Sequence, residues 1–144
     1  MKGTAANAAA DRPTILVVED DTKTRTMITE LLEAYHFRVL AAPDGEAALR
    51  MARAHRPDAI CLDLGLPGMD GIEAAAALQA DPDTRDLPIV AVTGRDVPRE
   101  GAEAIARDFV AYVPKPIGPQ QFVALLHCIL GGRRAPQDAT LPVR

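Results

Sequence analysis

The sequence predicts an α/β fold: a five-stranded parallel sheet with helices covering both faces. Short apolar runs rich in β-branched residues alternate with segments of helical periodicity, and the strand–helix pair recurs five times. The runs are continuously apolar, as strands buried on both sides must be. At 144 residues the chain has the length of one domain around one core.

Thr14-Ile15-Leu16-Val17-Val18 is the first strand, and a helix follows with Met27, Ile28, Leu31, Leu32 and Tyr35 in one apolar stripe. Phe37 to Ala41 is the second strand. Asp44 then caps a helix running through Ala47, Ala48, Met51 and Ala52. Ala59 to Leu62, introduced by Pro57 and Asp58, is the third strand. A turn-rich loop from Gly65 to Gly71 follows, with Pro67, Gly68 and Gly71 as turn formers. Asp70 starts an alanine-rich helix that runs to about Ala80, in which Ala74 to Ala77 supply helix propensity and close packing.

Pro88 to Val92 is the fourth strand, Pro98 to Arg107 a weaker helix and Phe109 to Val113 the fifth strand. In the last helix Phe122, Leu125, Leu126, Ile129 and Leu130 recur at helical spacing, and Gly131 stops it. The expected layout is a disordered tail over 1–13, one domain over 14–130 and a short polar tail over 131–144, with no output domain. The first tail lacks the basic leader and bulky apolar stretch of a signal peptide.

Composition removes several function classes. No apolar run approaches the roughly eighteen residues of a membrane span. A net charge of -4 and a pI near 5.3 argue against binding nucleic acid, and the pair Arg133-Arg134 is too small to reverse that. Without tryptophan, and with 3% aromatics, no stacking platform for bases or sugars is expected. Cys61 and Cys128 lie far apart in apolar segments and read as buried free thiols of a reducing cytoplasm.

In an open parallel sheet, ligands gather beyond the carboxyl ends of the strands. The first predicted strand is followed by Glu19, Asp20 and Asp21, the third by Asp63, the fourth by Thr93 and the fifth by Lys115. Singly, each reads as a cap, a turn residue or a solvated charge; together they converge. Carboxylates a few ångströms apart disfavour joint ionisation, so they share a proton or hold a cation. Oxygen ligands of this kind suit Mg²⁺, which bridges to phosphoryl oxygens and neutralises charge as the group transfers. A neighbouring carboxylate is then a nucleophile that becomes an aspartyl phosphate. Thr93 and Lys115 are placed to bond the phosphoryl oxygens.

The chain resembles the receiver domains of bacterial two-component response regulators. The segments that carry the resemblance are Ile15-Leu-Val-Val-Glu-Asp-Asp21 with Arg25, and Pro57-Asp-Ala-Ile-Cys-Leu-Asp-Leu-Gly-Leu-Pro-Gly-Met-Asp-Gly71. Pro88-Ile-Val-Ala-Val-Thr-Gly94 and Tyr112-Val-Pro-Lys-Pro116 complete them. Together they span about Thr14 to Leu130. The resemblance implies a doubly wound, flavodoxin-like sheet in the order 2-1-3-4-5. It makes Asp63 the phosphoacceptor, Asp20 the direct ligand of Mg²⁺ (or Mn²⁺), and Glu19 a close or water-mediated one. Gly65 would lend its backbone carbonyl to the metal. Thr93, with Gly94, and Lys115 would bind the phosphoryl group, and Tyr112, which alone reads equally as packing, would change rotamer on activation. Lys115-Pro116 becomes a cis-peptide candidate. Gly65 and Arg95 occupy positions that tune the lifetime of the phosphoryl group.

The chain departs from the commonest family pattern in places. Glu19 replaces an aspartate and lengthens that arm. Asp108 stands where a glycine often ends the fourth helix, so left-handed backbone is expected there. Pro114 requires the fifth strand to lie at an edge. Asp21 is expected to cap the first helix, Arg25 to be surface-exposed, and His36, His55 and His127 to lie in helical or helix-end segments without a phosphoryl-donor role.

The implied function is a stand-alone cytoplasmic switch rather than an enzyme, charged by a histidine kinase or a histidine phosphotransfer protein. Its output would pass through the surface of the fourth helix, fifth strand and fifth helix, or by onward phosphotransfer, from a monomer or a phosphorylation-dependent dimer. An alternative is a Mg²⁺-dependent phosphatase of the haloacid dehalogenase type. Those enzymes need a second aspartate where this chain has Gly65. A flavodoxin is disfavoured because Glu19-Asp20-Asp21 would repel its phosphate.

Overall fold

The five apolar runs form one sheet. In the computed structural model, which describes residues 12–94 and 102–131, the strands are β1 (Thr14–Val18), β2 (Arg38–Ala42), β3 (Ala59–Leu62), β4 (Ile89–Thr93) and β5 (Ala111–Pro114). The helices between and after them are α1 (Thr22–Ala34), α2 (Gly45–His55), α3 (Gly71–Ala80), α4 (Ala102–Asp108) and α5 (Pro119–Leu130). The order is β2-β1-β3-β4-β5, and every pairing is parallel. This is the predicted order, and it places β5 with Pro114 at an edge.

Side chains alternate across the sheet with period two. Ile15, Val17, Ala59, Cys61, Val90, Val92, Ala111 and Val113 turn toward α1 and α5, packing on Ile28, Leu32, Phe122, Leu125 and Leu126. Leu16, Val18, Ile60, Leu62, Ile89 and Ala91 turn the other way, onto Ala48, Ala52, Ala74, Ala75, Leu78 and Ile105 of α2, α3 and α4. Both faces are therefore covered, which is why the strands are apolar throughout. Burial of Cys61 pushes its thiol up to about 12, so it is a neutral packing group.

Asp21, Asp44 and Asp70 cap α1, α2 and α3 through their carboxylates. Gly131 ends α5, its N–H donating to the His127 carbonyl at 3.0 Å. Asp58 ties two strand starts together: its carboxylate accepts the Thr14 N–H and its own N–H donates to the Thr14 carbonyl, each at 2.7 Å.

Several expectations need correction. Met27 and Tyr35 do not belong to the buried stripe of α1; they are 51% and 39% exposed, since the stripe narrows to Ile28 and Leu32 with Leu31 at its margin. Phe37 is buried ahead of β2 instead of within it, and β4 pairs from Ile89 because Pro88 has no N–H to give. Phe109 still belongs to the turn of α4, donating its N–H to the Ile105 carbonyl at 3.0 Å, so β5 begins only at Ala111. Asp108 is helical and buried, held by Arg107 at 3.0 Å. Among the described residues, left-handed backbone falls instead at His36, Arg56 and Gly68. The first residues of the predicted fourth helix, Arg95, and most of both tails lie outside the described residues.

A polar clasp joins α2 to the loop after α3. The Asp81 carboxylate accepts the Asp83 N–H at 2.9 Å and the Arg53 Nε–H at 3.0 Å, while the Arg56 guanidinium donates to the Asp83 carbonyl. The Asp83 N–H, then Arg53, hold the Asp81 carboxyl below its ordinary value of 3.8. A depressed carboxyl contributes stability that is present above the unfolded value and is lost as pH falls through the folded one. The melting-temperature gap between the wild type and Asp81→Asn should therefore be widest near neutrality and close as pH drops below about 4. Circular dichroism melts across that range check it, and a gap unchanged by acid would contradict it.

Candidate functional site

The sheet's own hydrogen bonding places the acids. The ladder extends one residue past β1 and β3: the Glu19 N–H donates to the Ala42 carbonyl at 3.0 Å, and the Asp63 N–H to the Val18 carbonyl at 3.1 Å. Glu19 and Asp63 thus stand side by side at the carboxyl edge, only 2% and 8% exposed, while Asp20 is exposed beside them. One oxygen from each of these three carboxylates can be chosen so that all lie within 4.8 Å of one another.

The lysine arrives from the far edge. The Lys115 N–H donates to the Thr93 carbonyl at 3.1 Å, and its Nζ lies 2.6 Å from Glu19 Oε1 and 3.4 Å from Asp63 Oδ2. The Lys115-Pro116 bond is cis, as the resemblance implied. The second oxygens are engaged too: Glu19 Oε2 accepts the Asp21 N–H at 3.2 Å, and Asp63 Oδ1 accepts the Gly65 N–H at 3.0 Å.

Burial pushes the Glu19 carboxyl up, with the Asp63 charge adding to it, against the pull of the Lys115 and Asp21 bonds. Burial also works against the Lys115 ammonium, but the bond from Glu19 and the charges of Asp63 and Glu19 outweigh it and hold the lysine above its ordinary value. The site is thus a knot of negative charge closed by one ammonium. Its donor set is all carboxylate oxygen, so it fits a hard divalent cation that retains some of its water. Neither thiol nor imidazole takes part.

The remaining site residues predicted from sequence fall as follows. Thr93 is buried at the end of β4, opposite Pro114. Gly94 is exposed, and a Cβ there would stand 3.8 Å from the Lys115 Cβ. Tyr112 is half-buried against the face that carries α2, α3 and α4. Asp21 is spent on capping: its carboxylate accepts the Thr24 hydroxyl at 2.6 Å and the Thr24 N–H at 2.8 Å, which hold it below its ordinary value. Arg95 lies outside the described residues.

Two residues had been misread. Arg25 is half-buried rather than surface-exposed, and its Nη1 donates to the Glu19 carbonyl at 2.8 Å and the Asp20 carbonyl at 3.3 Å. A cation in the first turn of a helix, where the dipole disfavours it, was the available signal. Gly71 is required by close approach as well as by the turn. A Cβ on it would overlap the Asp63 carbonyl oxygen and lie 2.6 Å from the Leu64 Cα. A glycine directly after a helix cap was the clue there.

Fold and site together define a flavodoxin-like α/β domain with a carboxylate cluster and a lysine at the carboxyl edge of its sheet. The family model described as response regulator receiver domain matches residues 15–127, and the chain belongs to that family, a module of two-component signalling. It is 37% identical over 133 residues to the phosphate regulon transcriptional regulatory protein PhoB of Pseudomonas aeruginosa, covering 90% of this chain and 56% of that protein. It is 36% identical over 125 residues to the response regulator MprA of Mycobacterium tuberculosis, covering 87% of this chain and 53% of that protein. The chain thus spans little more than half the length of these relatives.

Among solved structures, it is similar to the receiver domain of a Pseudomonas aeruginosa sensor histidine kinase, which holds a magnesium ion in its active-site cleft. That match has a TM-score of 0.76 and 30% identity, covering 83% of this chain and 98% of that one. The chemotaxis protein CheY4 of Vibrio cholerae matches with a TM-score of 0.74 and 28% identity, covering 81% of this chain and 97% of that one. Among the described residues, no helix is long and apolar enough to cross a membrane.

The tight seat of Gly71 generates a prediction. Gly71→Ala should destabilise the fold by about 1–3 kcal/mol through overpacking and displace the Asp63 main chain. Urea unfolding gives the first quantity, and the amide shifts of Asp63 and Leu64 report the second. A variant as stable as wild type, with those shifts unmoved, would contradict it.

Proposed function

We propose that Asp63 is the phosphoacceptor of a signalling switch, charged by a histidine kinase or a histidine phosphotransfer protein. The observation that carries this reading is the meeting of Glu19, Asp20 and Asp63 within 4.8 Å, with the Lys115 ammonium 3.4 Å from Asp63 Oδ2. An Asp63 oxygen attacks phosphorus in line, the new P–O bond forms as the bond to the donor breaks, and the donor nitrogen or oxygen leaves with the electron pair. Glu19, Asp20, Asp63 and the Gly65 carbonyl would hold Mg²⁺, with Mn²⁺ a chemical substitute. When bound, the ion supplies neutralisation of phosphoryl-oxygen charge.

The chain's own groups do the rest. Lys115 exchanges its carboxylate partner for a phosphoryl oxygen, and the Thr93 hydroxyl with the Gly94 amide receives another. The added charge of about -1.5 to -2 draws Thr93 inward. Tyr112 follows and reshapes the surface of α4, β5 and α5. Output passes to a partner protein through that surface, or by return of the phosphoryl group to a second carrier. The bare backbone at Gly65 and the Arg95 side chain set how readily water reaches the acyl phosphate. The work is cytoplasmic, by a monomer or a dimer formed on phosphorylation, and the only turnover is self-phosphorylation and self-dephosphorylation. Gly65 offers no general acid of the kind the haloacid dehalogenase phosphatases use.

Incubation with acetyl phosphate and Mg²⁺ should add one hydroxylamine-labile phosphoryl group by intact mass, with none on Asp63→Asn or without metal. An adduct that persists in Asp63→Asn would move the phosphoacceptor elsewhere. Millimolar Mg²⁺ should also raise the melting temperature, because the ion binds the folded state alone. The same shift in an Asp20→Ala, Asp63→Ala double variant would remove the cluster from consideration.

A further inference from the structure

The turn that carries Glu19 and Asp20 lies between two hydrogen-bonded regimes. The Glu19 N–H is the last rung of the ladder to β2, donating to Ala42 at 3.0 Å, and the Asp21 carbonyl is the first to accept a bond within α1, from the Arg25 N–H at 2.8 Å. The carbonyls of Glu19 and Asp20 fall between, and one side chain takes both: Arg25, through Nη1, at 2.8 and 3.3 Å. It does so from the first turn of α1, whose opening turn contains no acidic residue to offset the helix dipole. The helix dipole disfavours a cation there; the two carbonyl bonds and the neighbouring acids hold it.

The geometry points to Arg25 as the positioning residue of the cation site. It fixes the main chain of Glu19 and Asp20 so that their carboxylates converge on the same point as Asp63. This inference rests on the reading of that cluster as a divalent-cation site. The hydrogen bonds of Arg25 go to the two carbonyls and not to the cluster's carboxylate oxygens.

Sign separates positioning from mere charge. A guanidinium near the cluster repels a divalent cation, so on electrostatics alone its removal tightens binding. As a positioning residue its removal weakens binding, and outer-shell groups of this kind are worth about 10–100-fold in metal affinity. Removal relieves the helix dipole but forfeits two hydrogen bonds from a charged donor, so the metal-free variant should stay folded and melt somewhat lower than wild type.

The test is calorimetric titration with MgCl₂ of wild type, Arg25→Met, Arg25→Gln and Lys23→Ala, each checked for folding by circular dichroism. Arg25→Met keeps the aliphatic stem, and Arg25→Gln is the second variant in case the first folds poorly. Lys23→Ala, in the same turn, sets the effect of losing one charge. The expected result is at least about tenfold weaker Mg²⁺ binding, relative to Lys23→Ala, in either Arg25 variant that is folded at the titration temperature. Unchanged or tighter binding in both would overturn the inference while leaving the cation site intact. Absence of Mg²⁺ binding by the wild type would instead overturn the cation-site reading, and this inference with it.

Discussion

A carboxylate as buried as Glu19, with 3% of its side chain exposed, needs a cationic partner, and it finds one 96 residues away in Lys115 at 2.6 Å. The rest of the architecture follows that bond. To deliver the lysine, β5 must lie on the β3 side of β1 with its carboxyl end level with the others, and the chain between must be laid down as β3 and β4. The lysine therefore passes over Asp63 on its way to Glu19, which is why one ammonium meets both acids. Strand order and charge balance are a single condition. A sheet assembled in another order would leave Glu19 buried without the Lys115 ammonium.

The two faces of the sheet solve the packing problem differently. On the side of α2 and α3 the buried contacts are mostly Ala47, Ala48, Ala52, Ala74 and Ala75 with Leu78, while Leu49, Met51 and Ile72 pack at the margin. Small residues let those helices lie close to the strands. On the side of α1 and α5 the packing includes larger side chains, Phe37, Phe122, Leu125 and Leu126. Gly71 extends the first strategy to the site, because it lets α3 start against the main chain of Asp63. The close-packed face is also where Tyr112 rests, so movement of that ring would be felt by α4 rather than by α1.

What was legible in the sequence had strand ends as its anchor. β1 and β3 coincide with their apolar runs, which stop where the acids Glu19 and Asp63 begin. β4 and β5 begin one and two residues late, because Pro88 lacks a donor and Phe109 is held by the turn of α4. Met27 and Tyr35 fit the helical period yet face water; periodicity marks the width of a stripe but not the width its neighbours will cover. Glu19, Asp20, Asp63 and Lys115 were legible as a group because parallel strands bring their ends together. Arg25 and Gly71 act on main-chain atoms brought near by the fold, and their positions beside a helix cap hint at a special role without naming the atoms they meet.

The main chain at the site is pinned on every strand described: Glu19 to Ala42, Asp63 to Val18, Lys115 to Thr93. Peptide bonds so placed cannot shift without breaking a rung of the sheet. The side chains beyond them turn about single bonds, over barriers far smaller than the energy of that ladder. On the reading proposed above, a phosphoryl group arriving here would act first on rotamers and on which group holds the ammonium. The frame of the pocket is held by the sheet and its side chains are the movable parts, so a change of charge there would act through them before it reached the surface.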